Sequence, residues 1–192
     1  MADNFHAVLD FWFGEPGTID YGRSREAWFK KSDAFDALIR EQFLPLYETA
    51  RNGGPAHWQE SPLSLLALII VCDQFPRNLF RDSARAFETD TMALSFAQRM
   101  VSLGWDRRLN AVERQFVSLP FEHAEDLAMQ RESLRLFGEL AQQSAGGDLL
   151  TWARKHAVII ERFGRFPHRN AVLGRTSTPE EIEFLKGPDS RF

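Results

Sequence analysis

Two short stretches of the chain place arginine and asparagine directly after a Phe-Pro pair, where an apolar helix pattern stops. The first runs Asp73-Gln-Phe75-Pro76-Arg77-Asn78-Leu-Phe-Arg81; the second runs Arg165-Phe166-Pro167-His168-Arg169-Asn170 and continues to Arg175. A residue before proline disfavours helical dihedrals, so each pair predicts a change from helix to irregular backbone. Guanidinium groups just past such a break can share one concavity, and their planar forks suit carboxylate or phosphate. Arg77, Arg81, Arg165, Arg169 and Arg175 are therefore the candidate anion donors, with Asp73, Asn78, Asn170 and His168 completing the ligand-binding set. The competing role for the same residues is structural, because arginine near a helix C-terminus favours the dipole and pairs with carboxylates.

A third motif, Leu119-Pro120-Phe121-Glu122-His123-Ala124-Glu125-Asp126, supplies the acid. On a continuous helix Glu122 would lie near Glu125 and Asp126, and His123 near Asp126. Neighbouring carboxylates raise one another's proton affinity and histidine titrates near neutrality, which is what general acid-base chemistry needs. His123, Glu122 and Glu125 are thus the catalytic candidates of a hydrolase or lyase. His123 would move protons, Glu122 or Glu125 would orient it or activate water, and the arginines would neutralise developing charge. A dipole-favoured acidic first turn accounts for the same cluster without chemistry. His156 falls four residues after Trp152 and four before Ile160, the spacing of a hydrogen-bonded histidine facing the core. With His123 and His168 it matches no tight zinc spacing and no Glu-x-x-His pairing, so neither a metal nor a cofactor is expected.

Charge is distributed unevenly. Arg154 to Arg175 carries a net +5 and Arg77 to Arg85 a net +2, against −11 in the remainder and −4 overall. That total argues against a nucleic-acid partner but leaves room for a local anion site. The 23 basic residues are 19 Arg and 4 Lys, a bias that either genome composition or a demand for two-pronged donors would produce. Aromatic residues are 17 Phe and 5 Trp against only 2 Tyr, mostly rings without a polar handle and therefore core material.

The elements that must position these motifs read as helices. A length of 192 residues with 44% hydrophobic and 26% charged content predicts one globular domain over residues 1–192. Asn4, Ser32 and Ser61-Pro62 are start signals, and Asn110 with Glu113 and Thr178 with Glu181 are capping boxes. Helices are expected over Glu26 to Lys31, Leu63 to Asp73, Ser83 to Leu103 and Glu122 to Ala145, the last stopped by Gly146-Gly147, with Asp148 capping the next. No alternating run competes with them. The chain is expected to be all-α, about eight or nine helices arranged as antiparallel hairpins, without a fixed 34-residue repeat. Cys72, the lone cysteine, lies in an apolar stretch and reads as core rather than nucleophile. The N-terminal residues lack a basic leader and no stretch is apolar for long enough to span a bilayer, so a cytoplasmic protein without membrane contact is expected.

The three motifs, with an initial Val8-Leu-Asp-Phe-Trp-Phe, resemble the uncharacterised bacterial family called domain of unknown function 924 over essentially the whole chain. The resemblance implies a single tetratricopeptide-like, superhelical all-α domain. It implies no activity, substrate or catalytic residue. Three functions remain in view: a polar pocket for a small anionic ligand, a hydrolase or lyase acting on that anion, and a protein-interaction module with a groove for a partner peptide.

Overall fold

The computed structural model of the protein describes residues 4–143, 148–188 and 190, so the expected Gly146-Gly147 stop lies outside the described residues. These residues form nine α-helices and no strand: α1 (Phe5–Phe13), α2 (Asp33–Arg51), α3 (Pro62–Ile69), α4 (Phe75–Leu79), α5 (Asp90–Ser102), α6 (Ala111–Glu122), α7 (Leu127–Gln143), α8 (Asp148–Phe163) and α9 (Pro179–Phe184). The chain divides into two compact units. One comprises residues up to Arg81 together with Arg85–Pro120; the other comprises Asp82–Ala84 and the residues from Phe121 onward.

Helix starts follow the side chains that satisfy their free N–H groups. Asn4 Oδ1 accepts from the His6 N–H, and Ser32 Oγ from that of Phe35. Asn110 and Glu113 form a reciprocal box with both bonds at 3.0 Å, and Thr178 and Glu181 form another at 3.2 and 2.7 Å. In the first unit the core is aromatic. Trp12 meets Trp28, Phe35, Phe75 and Phe116 at centroid distances of 5.6 to 6.1 Å. In the second, α7 packs on α8, and buried Ile159, Ile160 and Phe166 are extended by Phe163 and Phe184.

The two Phe-Pro pairs behave differently, which corrects the expectation of a break at each. After Phe163 the helix ends with Gly164 at φ +68°, and Phe166 is extended at φ −89°, ψ 106°. Phe75, by contrast, stays helical at φ −57°, ψ −41°, and α3 continues through a wide turn at Ile70–Gln74 into α4. Pro76 has no N–H, and in a regular helix its ring would press on the carbonyl of Cys72. The wide turn sends the Phe75 N–H five residues back, to the Ile70 carbonyl. Cys72 O accepts instead from Thr89 Oγ1 at 2.6 Å, a buried bond. Thr89→Val should therefore leave a buried carbonyl unmatched and destabilise the protein by about 1–3 kcal/mol in urea unfolding, with Thr89→Ser close to native.

That bond also helps to explain why the helix expected over Ser83 to Leu103 begins only at Asp90. Asp82 takes φ +59°, a short 3-10 turn occupies Ala84–Phe87, and the Arg77 guanidinium holds both the Ala86 carbonyl (3.1 Å) and the Asp90 carboxylate (2.8 Å). The segment expected to be helical over Glu26 to Lys31 is likewise a 3-10 turn at Glu26–Trp28. Cys72 is fully buried, and burial with the neighbouring Asp73 pushes its thiol up to about 12, which keeps it an unreactive core group. Among the described residues no helix is long and apolar enough to cross a membrane.

Candidate functional site

The acidic motif does not lie on one helix. Glu122 is the last residue of α6, and α7 starts at Leu127, so residues 123–126 form a link. Gln130 of the next helix and Asp126 of the link itself enforce it: Gln130 Nε2 donates to the carbonyls of Glu122 (2.7 Å) and Ala124 (2.8 Å), and Asp126 Oδ1 accepts from the Met129 N–H at 2.9 Å. The helical neighbourhood expected for Glu122, Glu125 and Asp126 is thereby replaced, and the two glutamates serve separate networks.

Glu122 is buried and faces α8, where its Oε1 lies 3.3 Å from His156 Nδ1. The same nitrogen lies 3.0 Å from the Trp152 carbonyl. Burial lowers the His156 pKa to about 3, and the positive fields of His123, Arg169 and His168 act in the same direction against the Trp152 carbonyl. The imidazole is therefore neutral at pH 7. Its Nδ1–H donates to the carbonyl, and Nε2 keeps a lone pair. His123 approaches it at a ring distance of 6.4 Å. On the other side the fully buried Phe166 ring meets His156 edge-on at 5.6 Å and His168 at 5.6 Å, and the buried Arg169 guanidinium sits 4.5 Å above its centre. His123 and His168 are half-buried. Three histidines, one carboxylate and one guanidinium are thus gathered in the second unit from the end of α6, the link after it, α8 and the short turn Pro167–Arg169.

The remaining arginines of the second motif face internal carboxylates. Arg175 binds both oxygens of Glu125 (2.6 and 2.9 Å), the Phe166 carbonyl (3.2 Å) and Asn170 Oδ1 (3.0 Å), while Glu125 also accepts the Phe166 N–H at 2.7 Å. Burial works against ionisation of Glu125, but Arg175 and that N–H outweigh it and hold the carboxyl below its ordinary range. Arg165 grips Glu181 with two bonds (2.6 and 2.8 Å), and Asn170 Nδ2 reaches the same carboxylate at 3.2 Å. Arg165 leads in holding Glu181 down to about 2, against burial and with help from the Thr178 N–H.

In the first unit the same pattern recurs. Arg77 takes Asp90 with two bonds (2.8 and 3.2 Å) and lies 3.6 Å from buried Asp73. Arg81 and Asn78 both bind Asp36, Asn78 at 2.8 Å. Burial raises the proton affinity of Asp36, and these two donors reverse the effect, leaving its carboxyl below the usual range. Of the nine binding candidates, Asp73, Arg77, Asn78 and Arg81 belong to the first unit; Arg165, His168, Arg169, Asn170 and Arg175 belong to the second with all three catalytic candidates.

Sequence reasoning left His156 and Phe166 out of the site, although the helical spacing of one and the Phe-Pro position of the other were legible. It also missed the counter-ions Asp36 and Asp90, which no local pattern marks. Among the described residues no group of three or more His, Cys, Asp or Glu side chains is arranged to hold a metal ion.

Comparison with known proteins agrees with the motifs. The family model described as bacterial protein of unknown function (DUF924) matches residues 8–189. A solved structure of a protein of unknown function from Agrobacterium tumefaciens is 38% identical, covers 95% of this chain and 97% of its own, and superposes with a TM-score of 0.83. No curated protein matches the chain. With the family model running through nearly every helix, from α1 to beyond α9, the chain belongs to the DUF924 family of bacterial proteins.

Proposed function

We propose that the protein binds a small anionic ligand, bearing phosphate or carboxylate, at the cluster of His123, His156, His168 and Arg169. One observation carries this reading: three imidazoles and a buried guanidinium meet in one place, where burial and neighbouring positive charge keep His156 neutral. An anion would relieve that mutual repulsion and favour protonation of the imidazoles. Arg165 and Arg175 then act as supports, clamping the turn that carries His168 and Arg169. Because a bound anion favours the charged form of His156, whose pKa burial holds at about 3, binding should tighten as pH is lowered.

A thermal-shift series with inorganic phosphate, citrate and adenosine monophosphate tests it. At a hundred times its dissociation constant a ligand adds about 2.7 kcal/mol, which raises Tm by roughly 5–10 °C in a chain of this size. Arg169→Ala should remove the response and Arg169→Lys weaken it, whereas Arg162→Ala, at an exposed pair with Glu180, should leave it intact. If none of the three anions stabilises the native protein, or Arg169→Ala responds as the native does, the reading fails.

A hydrolase or lyase at the same cluster is favoured by one contact, the 3.3 Å approach of Glu122 to His156, which can orient an imidazole for proton transfer. Turnover of p-nitrophenyl phosphate that His123→Ala abolishes, while anion stabilisation persists, would support it.

A further inference from the structure

The second unit carries a groove of about 310 Å³ between α8 and the residues around α9, away from the histidine side of the helix in residue composition: its walls are Val158, Ile159, Phe184 and Pro188, and its charged residues are Arg154 and Lys155. The volume sits at the lower end of the roughly 300–1,000 Å³ of ligand sites, enough for one or two large side chains. Val158 is 59% exposed, and Trp152 and Ile182 on the same two helices are 47% and 50% exposed. Lys155 lays its ammonium 4.5 Å above the Trp152 ring, which fixes a cation beside the apolar walls.

We infer that this groove docks a short acidic segment of a partner protein, seating one large apolar side chain between Val158 and Phe184 with carboxylates facing Arg154 and Lys155. Charge complementarity selects the occupant. Among the described residues both charged groups of the lining are basic, so an acidic peptide is attracted and a basic one repelled. Concavity favours a peptide over a lipid surface, since a bilayer offers a broad plane and not a single protruding side chain. The inference does not rest on the anion site, and the two fail separately.

The probe is a fluorescein-labelled decapeptide with a central Leu-Phe pair flanked by Asp and Glu, titrated with the full chain and followed by anisotropy. Expected is saturable binding in the range of roughly 10–100 µM at low salt, weakened severalfold by 0.3 M NaCl because exposed charges are then screened. Arg154→Glu with Lys155→Glu should weaken it at least tenfold, as should Val158→Asp, while Arg169→Ala leaves it unchanged. All these groove positions except Lys155 are largely exposed, and circular dichroism verifies that the variants fold. A lysine-flanked peptide with the same centre should not bind. The inference is overturned if no acidic peptide with a central Leu, Phe or Trp saturates, or if the groove variants bind as the native does. Equal binding to vesicles of anionic phospholipid would assign the face to a membrane instead, and a sedimentation dimer abolished by Val158→Asp would assign it to a second copy.

Discussion

Replacing His156 by Gln is expected to flatten the acid limb of the stability profile. His156 takes up its proton near pH 6.5 in the unfolded chain but only near 3 when folded, because burial and the surrounding positive groups disfavour its charged form. As pH falls below 6.5 the unfolded state binds a proton that the native state refuses, so stability drops with decreasing pH. Across the whole window that amounts to something on the order of 4–5 kcal/mol, at about 1.4 kcal/mol per pH unit. Gln keeps a donor for the Trp152 carbonyl and for Glu122 but cannot titrate. Urea unfolding at pH 7, 6, 5 and 4 should show the gap between variant and native shrinking steadily, and parallel curves would refute the assignment. Glu181 acts in a lower window with its own sign. Its folded pKa is depressed to about 2, so its contribution is present above 4.5 and fades only as pH falls toward 2.

Arg175→Met is expected to be the most damaging single change in the second unit. It removes two bonds to Glu125, one to the Phe166 carbonyl and one to Asn170, and leaves Glu125 with the Phe166 N–H. Breaking a buried pair from one side costs about 3–5 kcal/mol; with the side chains 24% and 25% exposed, the lower figure applies. For a chain of this length that corresponds to a fall in Tm of roughly 6–12 °C by calorimetry. Adding Glu125→Gln should recover part of the loss, because the stranded carboxylate contributes to it. The turn carrying His168 and Arg169 would also loosen, so the phosphate response should fall with stability. A loss under about 1 kcal/mol would mean that the pair is not the clamp.

The comparison of the two Phe-Pro segments shows where sequence reading reaches and where it stops. Both place Arg and Asn after Phe-Pro, yet one lies inside a continuous rod and the other ends a helix. The local difference is Gly164, two residues before Phe166 and at φ +68°, where the first segment has Asp73; the difference that no local pattern records is Thr89, brought against Cys72 from 17 residues away. The same holds for the arginines. Their grouping was visible, but a guanidinium fork fits an internal aspartate as well as an external phosphate.

What the sequence by itself determined is what depends on neighbours along the chain. The all-helical class, the capping boxes at Asn110 and Thr178, the Ser61-Pro62 start and the core role of Cys72 all rest on bonds or periodicities spanning a few residues. Which carboxylate answers which arginine was decided only by the tertiary structure, since Arg81 finds Asp36 across 45 positions and Arg175 finds Glu125 across 50. Such pairs form wherever packing delivers the two ends, and any of the acidic residues satisfies the chemistry equally well. The same packing carried Arg77, Arg81, Arg165 and Arg175 into internal ion pairs and gathered Arg169, His156 and His168 around Phe166 with His123 beside His156, a meeting of the link after α6, α8 and one short turn that no local spacing records.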